Sequence, residues 1–345
     1  MENFKLAWKN IVGHATKIEQ LKKIIAEEKF PHAVIFSGSE GIGKKKIAET
    51  CAAVLLCENP EGGEPCGVCE NCKLISAGSH PDFYIVEPEA TKTARNIKIS
   101  QIRALQAESS LRPVQADLRV VLIDGAEFMN NAAANCLLKT LEEPPSQTIF
   151  ILLSANRAGL LMTLRSRCRT VNFDKLTAEE ILQELLRRDI QLEKAKKISI
   201  IADGSLGRAL NLSASDGWEI RESAIDLIER FSVGEVTNED IFVKGNQISS
   251  WSREQFADFI IYIQKILRDI FLFNQAELYN PDFQDRLSKI KIAKKNLKAM
   301  IKEGVETRRR LNSNANLRLL AEAYLMRLKS LAVSGSYFTR NFFVE

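Results

Sequence analysis

The chain has 345 residues, 45% of them apolar and 27% charged, which fits a soluble globular protein of about two or three domains at ~150 residues each and excludes a disordered or fibrous one. The 48 Lys/Arg and 44 Asp/Glu leave a net charge of +4, so no general affinity for nucleic acid is expected and any basic surface must be local. No run approaches ~18 apolar residues, which argues against a membrane span. Met1–Asn10, with Lys5 and Lys9 among apolar residues, also lacks the pattern of a signal peptide; a cytoplasmic protein without membrane contact is the expectation.

In chain order, the first β-rich run is Ala33–Ser37. It leads into Gly38-Ser39-Glu40-Gly41-Ile42-Gly43-Lys44-Lys45 and a helix predicted over Lys45–Leu56. A strand, a glycine loop and a helix start form the setting of a phosphate-binding loop. Gly38, Gly41 and Gly43 let backbone N–H groups close on phosphate oxygens, and Lys44 reaches the β/γ-phosphates. That chemistry requires Ser or Thr after the lysine, to ligate Mg²⁺. Lys45 stands there instead, and an ammonium has no lone pair to give a cation.

Next comes Cys57-x8-Cys66-x2-Cys69-x2-Cys72, with Pro60, Gly62, Gly63, Pro65 and Gly67 between them. Structural disulfides are rare in a reducing compartment, and four clustered thiols suggest a metal. Four thiolates fill a tetrahedral Zn²⁺ completely, so the expected site is structural, with no position open to substrate. An iron–sulfur cluster is the rival metal reading.

Further strands are predicted at Phe83–Val86, Arg119–Ile123, Thr148–Leu153 and Thr170–Phe173, with a helix over Asn130–Glu142 that stops at Pro144-Pro145. Runs without alternation, such as Val120–Ile123, suit strands buried on both faces, so residues 1–174 read as an α/β domain with a mainly parallel sheet. Asp124 ends the third of these strands, where it is placed to hold a metal's water shell. A hydrolysing site follows it with Glu; here Gly125 follows, and Glu127, three residues past Asp124, is not expected to substitute. Asn156, after the fourth strand, is placed to touch a γ-phosphate or water. These residues make a degenerate nucleotide site: a glycine turn kept for packing, or a loop that binds nucleotide without hydrolysing it.

Leu164-Arg165-Ser166-Arg167-Cys168-Arg169 puts three arginines at alternating positions before a strand. Taken alone, the plainer reading is a solvated face; the functional one is a guanidinium that crosses to a neighbour's nucleotide. From Asp174 the pattern changes to helix. Thr177 and Glu180 form a capping box, and a short helical segment runs to about Asn211. Gly204, Gly207 and Asp216-Gly217 then mark a boundary near 213. Beyond it Phe256, Phe259, Ile260, Ile263 and Leu267, and later Leu320, Ala321, Tyr324, Leu325 and Leu328, recur at helical spacing, as a bundle core would.

Together the degenerate loop, the cysteine module after its helix, the run from Asn131 to Pro145 and Ser166-Arg167-Cys168 resemble bacterial clamp loaders, from about Val12 to Leu328. The resemblance implies an AAA+ module with an inserted zinc module near 57–72 (residues 1–174), a small helical lid (175–212) and a helical collar (213–345) that joins five subunits into a ring. It implies gamma/tau and delta subunits, the sliding clamp and primer–template DNA as partners. It also makes Arg167, flanked by Ser166 and Cys168, an arginine finger acting in trans on a neighbouring ATPase, with ATP held only on the neighbours. Active members keep Lys-Thr in the loop and Asp-Glu after the strand, so Lys45 and Gly125 favour a non-hydrolysing subunit that acts as stator. An ATP-hydrolysing gamma/tau-type subunit is the alternative, and a zinc-dependent nucleic-acid-binding module a more distant one. Active subunits carry a phosphate-sensing arginine where Gly207 stands here; Arg208 is one residue late, a rotation of ~100° on a helix. The basic stretch from Arg286 to Lys329, thirteen Lys/Arg against three acids, has two readings, a direct DNA contact through phosphate neutralisation and a solvated collar face; the second is favoured because the family's DNA contacts lie mainly in the AAA+ ring.

Overall fold

The computed structural model describes residues 4–90, 95–109, 111–145, 147–311 and 315–333. They divide into two compact units. The first runs to Glu184 and regains Gly204–Gly207; the second holds Leu185–Asp203 and the residues from Arg208 onward.

The first unit is built on five parallel strands: β1 (Ala33–Ser37), β2 (Phe83–Val86), β5 (Arg119–Ile123), β6 (Thr148–Ser154) and β7 (Arg169–Asn172), in the order β2-β5-β6-β1-β7. A short antiparallel hairpin, β3 (Glu89–Ala90) with β4 (Arg95–Asn96), follows β2 and was not apparent in the sequence. Because strand side chains alternate, each strand feeds two cores. Val34, Phe36, Val120 and Leu122 pack with α1 (Ala15–Ala26) and α2 (Lys44–Leu55) on one face. Ala33, Ile35, Val121 and Ile123 pack with α4 (Ile99–Ser109) and α5 (Asn131–Glu142) on the other. All five residues of β5 are buried, as expected of a strand covered on both sides.

Boundaries moved by a residue for identifiable reasons. Gly43, at φ +102°, is the cap of α2, so that helix opens at Lys44. Asn130 caps α5, its side chain accepting from Ala133 N at 2.8 Å, so that helix opens at Asn131. Arg169 pairs with Val34, which starts β7 one residue early, and β7 ends at Asn172. α3 (Glu70–Ser76) follows the cysteine loop, and α6 (Met162–Arg167) precedes β7.

After β7 the expected capping box is present: Glu180 N donates to Thr177 Oγ1 at 3.1 Å and Thr177 N to Glu180 Oε2 at 2.7 Å. Where the sequence suggested one short helical segment, three helices form: α7 (Ala178–Arg187), α8 (Leu192–Ile201) and α9 (Leu206–Ser213). Gly217 interrupts nothing. It lies inside α10 (Ser215–Val233), where a Cβ would stand 2.2 Å from the Asn211 carbonyl oxygen, so glycine is needed for a close approach. In the second unit α12 (Arg253–Phe271) packs on α10 and on α14 (Lys294–Leu311), and α15 (Leu317–Val333) packs on α14 and on α11 (Asn238–Ser249). Between α12 and α14 lies the one-turn helix α13 (Gln284–Leu287). The two apolar stripes form this core: Phe256, Phe259, Ile260, Ile263, Leu267, Ala321, Tyr324, Leu325 and Leu328 are all buried. Residues 334–345 of the expected collar lie outside the described residues. Among the described residues no helix is long and apolar enough to cross a membrane.

Candidate functional site

The loop after β1 has the form that the sequence suggests and is closed on itself. Gly38 must lack a side chain because a Cβ would meet the Phe173 carbonyl oxygen at 2.4 Å. Gly41 sits at φ +76°, and its carbonyl accepts from Gly207 N at 2.9 Å while Ser205 Oγ donates to Glu40 O at 3.0 Å. The turn at Gly204–Gly207 therefore covers the loop within the same unit, a packing that sequence separation conceals. His14 adds a further tie, its Nε2 lying 2.9 Å from Ile42 O.

Lys44 is buried and folds back, donating to Gly38 O at 2.8 Å and Ser39 O at 2.7 Å. Burial lowers its pKa, opposed by the negative charges of Glu127, Glu40 and Asp124. Lys45 pairs with Glu87 and with Asp124, the latter at 3.6 Å. Burial of its stem works against the charge, but Glu87 and Asp124 outweigh it and raise the pKa. The result is a fixed ammonium against the carboxylate that a metal site would use. Glu87, 42 residues away, is the partner that sequence reasoning missed.

Gly125 takes the left-handed conformation (φ +68°) and starts a short turn that brings Glu127 back toward β6. There its Oε1 accepts from Ala155 N at 2.8 Å, and its Oε2 is buried without a hydrogen bond. Its charge acts on Lys44. Asn156 lies at the exposed end of β6, its backbone N–H donating to Ser154 Oγ at 3.2 Å. Its side chain has no hydrogen bond to the loop among the described residues. The structure thus brings Lys44, Lys45, Asp124 and Glu127 into one electrostatic group and leaves Asn156 at its edge.

The four clustered cysteines do meet. The Sγ atoms of Cys57, Cys66, Cys69 and Cys72 all lie within 4.8 Å of one another, with Cys57–Cys69 at 4.0 Å and Cys66–Cys72 at 3.9 Å. Backbone N–H groups of Cys66, Cys69 and Cys72 donate to the preceding cysteine sulfurs at 3.3, 3.4 and 3.4 Å; burial still pushes the Cys57 thiol up, against the N–H of Cys66. Burial works against the Cys66 thiolate, but N–H donors from Val68 and Cys69 outweigh it and bring its pKa down to about 7. This cage is chemically able to hold one soft metal ion. Its loop is anchored to the fold: Trp8 Nε1 donates to Gly63 O at 2.8 Å, and Glu64 pairs with Lys22 at 2.9 Å.

Arg167 ends α6, about one-third exposed, with its guanidinium 2.5 Å from Glu142 Oε1 and 3.2 Å from Thr163 O. Ser166 Oγ also donates to Thr163 O, at 3.0 Å, and Cys168 is buried, which pushes its thiol up to about 11. Ser166 and Cys168 therefore cap and anchor the helix end, while Arg167 reaches the surface. Arg208, in the second unit, is held by Asp258 at 3.4 Å and Ala202 O at 3.0 Å.

Residues 13–177 match the family model described as "DNA polymerase III, delta subunit". The chain is 29% identical over 334 residues to the DNA polymerase III subunit delta' of Bacillus subtilis, covering 94% of this chain and 99% of that one. Subunit delta' of Pseudomonas aeruginosa is 36% identical over 198 residues, 57% of this chain and 60% of that one. The subunit tau of Bacillus subtilis is 32% identical over 211 residues, 59% of this chain and 37% of that one. For these last two, the match spans less than two thirds of the relative's length. The family-model match and these relatives, one of them over most of the chain, support a delta-prime-type clamp-loader subunit of DNA polymerase III.

Proposed function

We propose that this chain is the non-hydrolysing member of its clamp loader, a stator that lends Arg167 to the ATP site of a neighbouring gamma/tau subunit. In this reading it works in a pentameric ring with gamma/tau and delta, loading the sliding clamp on primer–template DNA. The observation that carries the reading is Lys45. Its ammonium lies against Asp124, so the local positive charge is supplied by a side chain that can neither ligate Mg²⁺ nor release a site for it. Glu127 is tied to Ala155 N through one carboxylate oxygen and Lys44 is spent on loop carbonyls, which supports a loop held by its own contacts rather than by a nucleotide. Arg167, by contrast, is at the surface with only Glu142 and Thr163 as partners among the described residues. A phosphate replacing Glu142 would receive the guanidinium in the same manner.

The three-part division follows: an AAA+ module (1–174), a lid (175–212) and a collar (213–345). In the cysteine cage the ion is zinc. Four sulfurs each ~2.3 Å from a central Zn²⁺ lie ~3.8 Å apart, and the 4.0 and 3.9 Å separations match that cage. With all positions taken, zinc would hold the glycine-rich loop and supply no catalysis.

The test is ATP turnover by the purified chain alone, with Lys44→Ala as control. Turnover at background in both supports the reading. Turnover that depends on Lys44 would favour an ATP-hydrolysing gamma/tau-type subunit instead.

A further inference from the structure

The basic stretch from Arg286 to Lys329 is sorted by the fold in a way that its composition does not reveal. Its arginines are largely matched to acids. Arg286 bonds Glu222 at 3.1 Å as well as Asp226 and Glu229; Arg310 pairs with Glu306 at 3.2 Å, Arg318 with Glu322 at 2.8 Å and Arg327 with Glu303 at 3.8 Å. Those pairings use all three acids of the stretch. Lys289, Lys291, Lys294, Lys295, Lys298 and Lys302 are exposed, and none has a carboxylate within 4.0 Å among the described residues.

Four of these lysines, Lys294, Lys295, Lys298 and Lys302, lie on α14 and form a stripe. Lys295, Lys298 and Lys302 are three and then four residues apart, so they share a face and climb it in steps of ~4.5 and ~6 Å. Lys294 and Lys298 also stand over the Phe271 ring, at 5.6 and 5.3 Å from its centre. Like charges four residues apart, as in 294/298 and 298/302, disfavour a helix. This helix carries that repulsion with no acid paired to those lysines.

We propose that this lysine face binds the phosphodiester backbone of nucleic acid without reading its sequence. The type of cation argues for phosphate. An acidic peptide is best met by arginine forks, and the arginines here are largely committed to internal carboxylates. Ammonium groups are point charges that neutralise phosphates spaced a few ångströms apart along a strand, with little demand on geometry. A membrane surface would call for several exposed apolar residues beside the lysines, and among the described residues of α14 Val305 is the one exposed large hydrophobic. The inference concerns the second unit alone and does not depend on the role of Arg167.

The experiment is fluorescence anisotropy of the full chain with a labelled 30-base-pair duplex of arbitrary sequence, titrated with salt. Lys295→Glu/Lys298→Glu/Lys302→Glu should weaken binding at least tenfold near 0.1 M salt. The corresponding triple alanine variant should lower the slope of log K against log salt by about 2–3, at ~0.9 for each phosphate no longer neutralised. Lys9→Glu/Lys197→Glu, which changes charge elsewhere, should bind as the parent does. The proposal is overturned if the parent chain does not bind at low salt, or if the triple variants bind as tightly as the parent while keeping its circular dichroism. Equal or tighter binding to polyglutamate or to anionic lipid vesicles would overturn it too.

Discussion

Replacing Asp82 with alanine should unfold the first unit at markedly lower denaturant. Asp82 is fully buried just before β2, and its carboxylate accepts N–H bonds from Val114 and Gln115 at 2.8 Å and Ala116 at 3.0 Å. It also faces Arg119, 1% exposed, at 3.4 Å. Arg119 in turn donates to Glu108 O at 2.6 Å and Leu111 O at 2.9 Å, so the pair ties Glu108, Leu111 and residues 114–116 to the start of β5. The alanine variant strands a buried guanidinium and three N–H groups, a defect that costs about 3–5 kcal/mol. Against a total stability of about 5–15 kcal/mol that is a large fraction. Urea unfolding can be followed by Trp8, the one tryptophan of the first unit, in a Trp218→Phe/Trp251→Phe background. Asp82→Ala/Arg119→Met should lose less than the two single changes added together, because it removes the stranded charge. Burial works against the Asp82 charge, but the three N–H donors and Arg119 outweigh it, and its pKa lies below the ordinary aspartate value. Its contribution is therefore complete above pH ~4 and is lost as pH falls through the lower folded value. A loss under ~1 kcal/mol, or full additivity in the double variant, would refute this reasoning.

Three further outcomes are expected. Cys66→Ser should cut bound metal, measured by elemental analysis of protein purified without chelator, well below the parent's level; an undiminished level would contradict the four-sulfur cage. Gly41→Ala forces a side chain into a left-handed conformation 2.4 Å from Ser205 Oγ and should lower stability by about 1–2 kcal/mol in urea, whereas a gain would dismiss the clash. Glu142→Gln removes an exposed ion pair worth about 0–1 kcal/mol, so the fold should stand. A reconstituted loader carrying it should turn over ATP at least as fast as the parent; a collapse to the level of Arg167→Ala would mean that Glu142 does more than hold the arginine.

What could be read from the sequence was what short-range chemistry dictates. β5 reads as a doubly covered strand because five consecutive residues must be buried. α5 ends where Pro144 cannot continue it, and the cysteine spacing alone brings four sulfurs together. What could not be read depended on pairing across the fold. Nothing local links Lys45 to Glu87, Arg167 to Glu142, or Gly41 to the turn at Gly204–Gly207. The bond from Ala155 N to Glu127 is of the same kind, since it depends on the left-handed turn at Gly125. In the basic stretch, composition counts charges but cannot say that the arginines are largely matched and the lysines of α14 are not.

The most direct measurement is clamp- and DNA-stimulated ATP turnover of the reconstituted loader carrying Arg167→Ala in this subunit. An arginine acting in trans can contribute about 10³–10⁵ in rate at the site it completes. The neighbouring site should therefore fall silent while the assembly stays intact, whereas Lys45→Ala should leave turnover unchanged. Parent-like turnover with Arg167→Ala would contradict the account.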